Sequence, residues 1–457
     1  MVNILLSIIS GALLSTAFAP LSLWWSAPLA IALHMQSLKS SSRPFLNSFV
    51  FALTFNAIAL HWTSIYVGST PWIILAVGQA VLFIPLGLIK KCAIAFYPFI
   101  FLILEEIRGS FPFEGFGWLR IAYSQADSPY RGIAAFGGAA ALSAITLSIS
   151  LVVFSIFQRR LVLLPLLPLL LLLIPLHIQS VGTVKVLMVQ GDVPELGLDF
   201  NSRATQVFFN HVKETKKALT SNSDIDFILW PENAVDVDPF TNQELSKTLD
   251  TFDQPLIVGA VIRQNNELQN ASILWSKNGK KIYVKQHLTP FGEYIPLRTL
   301  AAKISPLADS VEDFSAGDIS TIFAVKNADI APVICFELID DEILHKAAIS
   351  SNLLVVQTNS ATFGRSAETA QQLAISRVRA IEHGRNILSV STTGISAQID
   401  YTGKILQRTQ IHTPAHIFAE PELITSQTPR DRAGDLALIA TLVWLLALGR
   451  KYSRRSI

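Results

Sequence analysis

Charged residues are scarce in this sequence. Only 15% of its 457 residues are Asp, Glu, Lys or Arg, whereas an average soluble domain carries about 25%. Hydrophobic residues make up 51%, and the mean hydropathy of +0.43 excludes a purely soluble globule. Disorder requires low hydrophobicity and high net charge, so it is excluded as well. The composition therefore indicates a membrane protein.

The sequence also has few cysteines and little net charge. Two cysteines, Cys92 and Cys335, are too few for a small domain held together by disulfides. A net charge of +2 provides no basic field of the kind that nucleic-acid binding usually needs. We therefore expect no nucleic-acid partner.

Long apolar runs fill the first part of the chain and return near its end. A transmembrane helix needs about 20 apolar residues. We predict a bundle of seven transmembrane helices over residues 1–180, a soluble-type domain over 181–430, and a C-terminal transmembrane helix with a basic cytoplasmic tail over 431–457. The predicted spans are 2–19, 22–38, 46–66, 71–89, 92–107, 132–157, 161–178 and 433–449.

Basic residues fall in alternate connections between these spans. Short cytoplasmic loops carry the excess of Lys and Arg in membrane proteins. Both termini are therefore predicted to be cytoplasmic, and the segment 179–432 to be extracytoplasmic. The basic residues that support this orientation are Lys39, Arg43, Lys90, Lys91, Arg159, Arg160, Arg450, Lys451, Arg454 and Arg455.

Strand-like and helix-like runs alternate in the soluble-type domain. The pattern predicts sheets covered by helices, in an α/β or α+β layered domain. Predicted strands lie near 184–190, 226–230, 255–262, 271–275, 281–288, 329–335, 352–358, 387–392 and 395–400, and predicted helices near 201–220, 339–349 and 366–384.

Three short motifs follow predicted strands: WPENA (230–234), KQHLTPFGE (285–293) and CFE (335–337). Catalytic groups often project from the ends of strands in open sheets. Cys335 is unpaired, because the membrane would separate it from Cys92, and an idle thiol is a liability in an oxidising compartment. The alternatives are a buried structural thiol and a salt bridge at the strand ends.

Together these residue types suit nucleophilic catalysis. A cysteine attacks as its thiolate, so a base must remove its proton. Glu232 is suitable if burial raises its pKa. Lys285 supplies positive charge for a developing oxyanion. We therefore predict a Glu–Lys–Cys site of Glu232, Lys285 and Cys335.

At these residues the sequence resembles the nitrilase superfamily, whose members use Glu, Lys and Cys in that chain order. With its N-terminal spans it looks specifically like the apolipoprotein N-acyltransferase family. The resemblance implies about eight transmembrane helices and an extracytoplasmic nitrilase-like αββα sandwich. The supporting stretches are AFAP (17–20), GWLRIAYSQAD (117–127), VQG (189–191), WPENA, KQHLTPFGEYIP, CFE and RVRAIEHGR (377–385).

The resemblance implies that Glu232 is the general base, Lys285 the oxyanion-stabilising lysine and Cys335 the acyl-accepting nucleophile. Residues matching further active-site positions of the family are Glu293, Glu337 and Phe336, the last through its backbone N–H. The chain departs from the family in having CFE where CYE is frequent, NSATFG at 359–364 where NDAWFG is frequent, and no tryptophan near Asp199 and Phe200.

The implied reaction transfers an acyl chain from a membrane phospholipid, through a cysteine thioester, to the α-amino group of a diacylglyceryl-cysteine at a lipoprotein N-terminus. The implied location is the bacterial plasma membrane, with the enzyme acting as a monomer and needing no metal or cofactor. Candidate lipid contacts are Trp118, Tyr123 and Phe363, although an interfacial aromatic belt also explains the first two.

Two other functions fit parts of the sequence. A membrane-anchored amidase acting on small amides would use the same triad but would not need seven preceding spans. A transporter or receptor would place ionisable residues within its spans, and the early spans contain few. His287 and His383 are expected to be hydrogen-bonded scaffold, and structural ion pairs are expected among Arg377, Arg379, Glu382 and Arg385.

Overall fold

The computed structural model describes residues 1–89, 93–193, 200–304 and 312–453. The predicted loop residues Lys90 and Lys91 and the start of the span 92–107 lie outside these ranges. The chain divides into two compact units, Met1–Leu176 with Thr428–Ile457, and His177–Gln427. The α-helices of the described residues are α1 (Val2–Ser15), α2 (Ser26–Ser40), α3 (Pro44–Ala59), α4 (Ser64–Val67), α5 (Ser69–Leu82), α6 (Tyr97–Ser110), α7 (Ala134–Phe157), α8 (Phe200–Ser221), α9 (Gln243–Leu249), α10 (Arg298–Ile304), α11 (Asp341–Ile349), α12 (Glu368–His383), α13 (Pro429–Ala433) and α14 (Leu436–Ser453).

The first unit is helical and apolar. Within the described residues, three continuous helical stretches are long and apolar enough to cross a membrane: Ser69–Leu88, Arg131–Phe157 and Leu436–Ser453. Shorter apolar helices cover Val2–Ser15 and Pro44–Ala59. These helices overlap five of the eight predicted spans, and the count of eight remains a prediction.

The predicted span 161–178 differs most from the structure. The helix observed within it is a 3₁₀ helix of ten residues, Leu164–Leu173. Pro165 lies at its start and Pro168 inside it. Proline lacks the N–H that an α-helical bond needs, so the Leu-rich run cannot form a regular α-helix here.

Small and polar side chains hold the first three helices together. A Cβ on Gly11 would lie 2.4 Å from the carbonyl oxygen of Phe51, so the glycine allows α1 and α3 to approach closely. Ser7 and Ser37 are joined through their Oγ atoms at 2.8 Å, and Asn47 Nδ2 donates to Ser7 Oγ at 2.9 Å. Such hydrogen bonds add specificity where apolar surface alone gives little driving force.

The described residues of the second unit form two six-stranded sheets and a two-stranded one. The strands are β1 (Ser180–Thr183), β2 (Val186–Gln190), β3 (Phe227–Leu229), β4 (Leu256–Gln264), β5 (Glu267–Ser276), β6 (Gly279–Val284), β7 (Phe323–Val325), β8 (Ala328–Ile334), β9 (Leu353–Thr358), β10 (Ile387–Ser391), β11 (Ala397–Ile399), β12 (Ile405–Arg408), β13 (Ala415–Ala419) and β14 (Glu422–Ile424). One sheet has the order β13-β2-β3-β4-β5-β6, the other β12-β11-β10-β9-β8-β7, and β1 pairs with β14.

The alternation of side chains between the two faces of β2 shows how the layers form. Val186 and Met188 enter the core shared with the second sheet, whereas Leu187 and Val189 pack with Phe208 of α8 on the outer face. Side chains alternate between the faces of a strand, so an unbroken apolar run is buried on both sides. Burying each such side chain contributes roughly 1.5–3 kcal/mol. Helices α11 and α12 pack against the second sheet, which gives the predicted αββα layers.

The positions of the main strands and helices agree with the sequence pattern. The parallel sets β2-β3-β4 and β8-β9-β10 bring the carboxyl ends of their strands to one edge of each sheet. Because β4 and β6 are both antiparallel to β5, the end of β6 lies at the same edge as those of β3 and β4. The three motifs begin at these edges.

Candidate active site

Glu232 and Lys285 follow strands of one sheet, whereas Cys335 follows a strand of the other. Glu232 comes shortly after β3, Lys285 directly after β6 and Cys335 directly after β8. The cysteine packs against the apolar core between the sheets. The site is therefore assembled across two layers rather than within one sheet.

A close backbone approach positions Glu232. A Cβ on Gly259 of β4 would lie 2.5 Å from Glu232 Cα and 2.4 Å from the carbonyl oxygen of Pro231. The amide of Gly259 donates to that carbonyl at 3.2 Å, and Val235 N–H donates to Gly259 O at 3.1 Å. Only glycine leaves room for the WPENA segment to lie this close to β4.

Lys285 lies between two carboxylates. Its Nζ is 2.7 Å from Glu293 Oε2 and 3.6 Å from Glu232 Oε1, and the lysine is only 1% exposed. Asn270 joins the same carboxylates, since its Nδ2 donates to Glu232 Oε1 at 2.8 Å and to Glu293 Oε1 at 2.6 Å. The N–H of Thr289 donates to Glu293 Oε2 at 2.7 Å. The cluster thus holds two acidic groups and one cation out of water.

The pKa values of Glu232 and Glu293 are shifted in opposite directions. Burial and the negative charge of Glu293 raise the pKa of Glu232, although Lys285 and Asn270 act against the shift. Burial also acts on Glu293, but Lys285 and the donors around it hold its pKa below the usual value. Burial lowers the pKa of Lys285, but the two carboxylates outweigh it and raise that pKa overall. Glu293 is therefore the fixed counter-ion, and Glu232 is the better proton acceptor.

Cys335 occupies a strained turn. Its φ of +49° lies in the left-handed region, and a 3₁₀ helix, Cys335–Ile339, starts at this residue. For a residue other than glycine this conformation costs roughly 1–2 kcal/mol, and such strain is concentrated at functional sites. The thiol is not in a disulfide and is partly exposed.

The thiol has two polar neighbours. The charge of the Glu232 carboxylate acts on it, and Gln372 Nε2 of α12 donates to its Sγ at 3.6 Å. Burial and the charge of Glu232 raise the pKa of Cys335 well above its usual range, although Lys285 acts against the shift. The sulfur is therefore protonated at rest, with a carboxylate in place to accept its proton.

Glu337 ties the cysteine turn to the end of β6. Its Oε2 accepts from the N–H of Ile334 at 2.6 Å, and its Oε1 accepts from Tyr283 Oη and from the N–H of Gln286, each at 2.7 Å. Burial raises the pKa of this fully buried group to about 6, while the same donors act against the shift. Because the bonds span both sheets, Glu337 fixes the position of Cys335 relative to the segment that carries Lys285.

The remaining predicted residues fall into two groups. Trp118 and Tyr123 are buried in the first unit, and Trp118 packs against Trp62 at 5.4 Å between ring centroids. Phe363 lies in a short 3₁₀ helix of the second unit, Ala361–Phe363. Their contacts with lipid remain predictions.

Of the expected ion pairs, the one between Arg379 and Glu382 is observed, and the scaffold role of His287 and His383 remains a prediction. His287 Nδ1 lies 3.0 Å from Asp340 Oδ2. Arg379 is fully buried, with one nitrogen 2.7 Å from Glu382 and another 2.7 Å from Asp341. Arg385 donates to backbone carbonyls, including that of Ser351 at 3.0 Å.

Sequence reasoning missed several polar residues of the site. Asn270 and Ser272 interrupt the apolar pattern of β5 on its buried side, and this was the available signal for Asn270. Gln372 and Glu368 are spaced four residues apart and therefore share a helix face. Tyr283 gave no signal, because an aromatic residue is ordinary in a strand.

Comparison with known proteins accounts for both units. The N-terminal domain model of apolipoprotein N-acyltransferases matches residues 10–152, and the carbon-nitrogen hydrolase model matches 201–423. The apolipoprotein N-acyltransferase of Mycolicibacterium smegmatis is 31% identical over 93% of this chain and 81% of its own length, and that of Azotobacter vinelandii is 30% identical over 99% and 96%. A solved CN-hydrolase superfamily protein from Xanthomonas campestris is 15% identical, with 60% of this chain and 97% of that chain covered and a TM-score of 0.40. The chain belongs to the apolipoprotein N-acyltransferase family, and its second unit carries the carbon-nitrogen hydrolase domain.

Proposed function

We propose that this chain transfers an acyl chain from a membrane phospholipid to the α-amino group of the diacylglyceryl-cysteine at a lipoprotein N-terminus, through a thioester on Cys335. Acyltransferase activity follows from membership of the family. The observation that carries the assignment of residues is the buried cluster in which Lys285 Nζ lies 3.6 Å from the Glu232 carboxylate, since the charges of both groups act on the Cys335 thiol.

The first step forms the thioester. Glu232 takes the thiol proton as Cys335 sulfur attacks the ester carbonyl, because a thiol with a raised pKa reacts only when a base removes its proton. The negative charge that develops on the carbonyl oxygen is stabilised by Lys285 and by the N–H of Phe336. The carbon–oxygen bond then breaks, and Glu232 returns its proton to the leaving lysophospholipid oxygen.

The second step consumes the thioester. The neutral α-amino group attacks the thioester carbonyl, Glu232 accepts a proton from the attacking nitrogen, and the carbon–sulfur bond breaks. The proton passes to the sulfur, which regenerates Cys335. The product is an amide on a triacylated lipoprotein.

In this proposal the first unit, with its membrane-spanning helices, brings the active site close to the acyl chains of both substrates. Moving an acyl chain into water costs about 0.8 kcal/mol per methylene group. An active site at the bilayer surface avoids most of that cost. We propose that eight spans hold the catalytic unit on the extracytoplasmic face of the plasma membrane, that Trp118, Tyr123 and Phe363 contact lipid, and that the enzyme acts as a monomer.

The chemistry is tested with the purified full chain in detergent and a phospholipid carrying a labelled acyl chain. Intact-mass spectrometry should detect one acyl adduct that hydroxylamine removes and that Cys335→Ala lacks. Addition of a diacylated lipoprotein should move the label to its N-terminus. Hydrolysis of small amides without any labelled adduct would instead identify an amidase.

The orientation is tested by thiol labelling in intact cells. In a chain with Cys92→Ser and Cys335→Ser, a membrane-impermeant maleimide should label Gln264→Cys in the catalytic unit without lysis. Ser40→Cys, in the predicted cytoplasmic loop, should react only after lysis. The opposite pattern would place the catalytic unit in the cytoplasm.

A further inference from the structure

Glu368 is a buried acid that the proposed triad chemistry does not use. It is the first residue of α12 and is only 2% exposed. Its Oε2 has no hydrogen-bond partner among the residues that the structure describes. Leaving such a group buried without a partner costs about 1–3 kcal/mol or more, so its retention requires an explanation.

Glu368 shares a helix face with a residue that contacts the nucleophile. Glu368 and Gln372 are one turn apart, and residues with this spacing lie on the same face of an α-helix. Gln372 reaches the sulfur of Cys335, with Nε2 at 3.6 Å. The carboxyl of Glu368 also interacts electrostatically with Cys335 and with Glu232. Glu368 therefore lies on the helix face that contacts the reacting sulfur, on a different element from Lys285 and Glu293.

The two substrates differ in charge at their reacting atoms. The phospholipid presents a neutral ester, whereas the acceptor presents an α-amino group that is partly protonated near neutral pH. Within the described site, Glu232 and Glu293 are already engaged by Lys285 and Asn270. Glu368 has an oxygen available to accept a hydrogen bond from a new donor.

We propose that Glu368 binds the α-ammonium group of the acceptor lipoprotein and takes the proton that must leave before the amine attacks. The inference rests on the proposed function, because it assigns a group to its second step. One N–H bond of the ammonium breaks, and the proton goes to Glu368, leaving a neutral amine. After the amine attacks the thioester, Glu232 accepts the next proton as described above, and Glu368 later releases its own proton to water.

The electrostatics of Glu368 agree with this role. Burial raises the pKa of this carboxyl to about 8, and the charge of Glu232 adds to the shift, whereas the Ser360 hydroxyl acts against it. An ordinary α-amino group has a pKa of about 7.7–8.0. Proton transfer between groups of matched pKa is nearly balanced in free energy, which suits general base catalysis.

The test separates the two half-reactions in Glu368→Gln. With labelled phospholipid alone, the variant should form the Cys335 thioester as the wild type does, which also shows that its site is folded. Transfer from that thioester to the lipoprotein amine should fall by about 10²-fold or more. Hydroxylamine is already unprotonated at neutral pH, so it should cleave both thioesters at equal rates. Glu342→Gln removes an exposed carboxylate and is the matched control, with both half-reactions unchanged.

The outcomes are distinct. Unchanged transfer to the lipoprotein in Glu368→Gln overturns the inference alone. Equal slowing with lipoprotein and with hydroxylamine also overturns it, because the defect then lies at the thioester. If Glu368→Gln does not fold, Glu368→Asp keeps the charge and shortens its reach. A raised KM for lipoprotein with normal thioester formation supports the inference, and an unchanged KM opposes it. Failure of the wild type to form the thioester overturns the proposed function first.

Discussion

Replacing Asn270 with Leu should move the acid limb of thioester formation to higher pH. The Nδ2 of Asn270 donates to both Glu232 and Glu293, at 2.8 and 2.6 Å. These bonds stabilise the ionised carboxylates, so their loss favours the protonated forms. The pKa of Glu232, already raised by burial, should therefore rise further.

The size of the shift follows from the hydrogen bond. A bond to a charged group is worth about 1.5–3 kcal/mol, and one pKa unit corresponds to about 1.36 kcal/mol. The pKa of Glu232 should rise by about one to two units. Because the base works only when ionised, the rate below the new pKa falls about tenfold for each further unit of pH.

The measurement is the rate of acyl-adduct formation on Cys335 between pH 5 and 9, followed by mass spectrometry. Gln269→Leu is the matched control, since neighbouring residues of a strand face opposite sides of the sheet. Its pH profile should coincide with that of the wild type. A profile for Asn270→Leu with an unshifted acid limb would refute the argument that this amide sets the protonation of the base.

Three further substitutions test the framework of the site. Gly259→Ala should slow thioester formation and lower stability by about 1–3 kcal/mol, because the new Cβ would displace Glu232. Gly78→Ala is the control, since nothing lies within 4 Å of its Cβ, and it should change neither the rate nor the stability. Equal effects of the two substitutions would contradict the prediction. Tyr283→Phe removes one donor from Glu337 and should lower thioester formation about tenfold, by roughly 1.5 kcal/mol; a wild-type rate would show that this bond does not position the cysteine. Arg379→Leu should lower stability by about 3–5 kcal/mol in thermal unfolding, since it leaves buried carboxylates without their cation; an unchanged Tm would contradict this.

The layered domain could be predicted from the sequence because local patterns determine it. Continuous apolar runs such as 352–358 are typical of strands buried on both faces, and β9 is buried along its whole length. The helix predicted over 366–384 is observed at Glu368–His383. It ends at Gly384, whose left-handed conformation is a common helix stop.

The membrane spans were harder to delimit, because hydropathy reports composition rather than backbone geometry. The run 161–178 is apolar throughout, yet its prolines produce a short 3₁₀ helix. The region 71–89 similarly changes from an α-helix to a 3₁₀ helix near Pro85. A hydropathy window cannot distinguish these cases from a regular α-helix.

The site could be predicted only in part. Glu232, Lys285 and Cys335 stand at strand ends, where the sequence pattern draws attention to them. Asn270 acts through hydrogen bonds to Glu232 and Glu293, which lie on other elements, and the role proposed for Glu368 rests on its place on the same helix face as Gln372. The neighbours of both residues become visible only once the topology is known.

The division of the site between two sheets has a consequence for how activity responds to mutation. The base and the lysine follow strands of one sheet, and the nucleophile follows a strand of the other. The volume of the apolar side chains between the sheets therefore determines the distance from the Glu232 carboxylate to the Cys335 sulfur. Replacing a core residue such as Val355 with a smaller one would allow the two sheets to move closer together. Residues that never meet a substrate thereby act as spacers, and selection on catalytic rate extends to their volume.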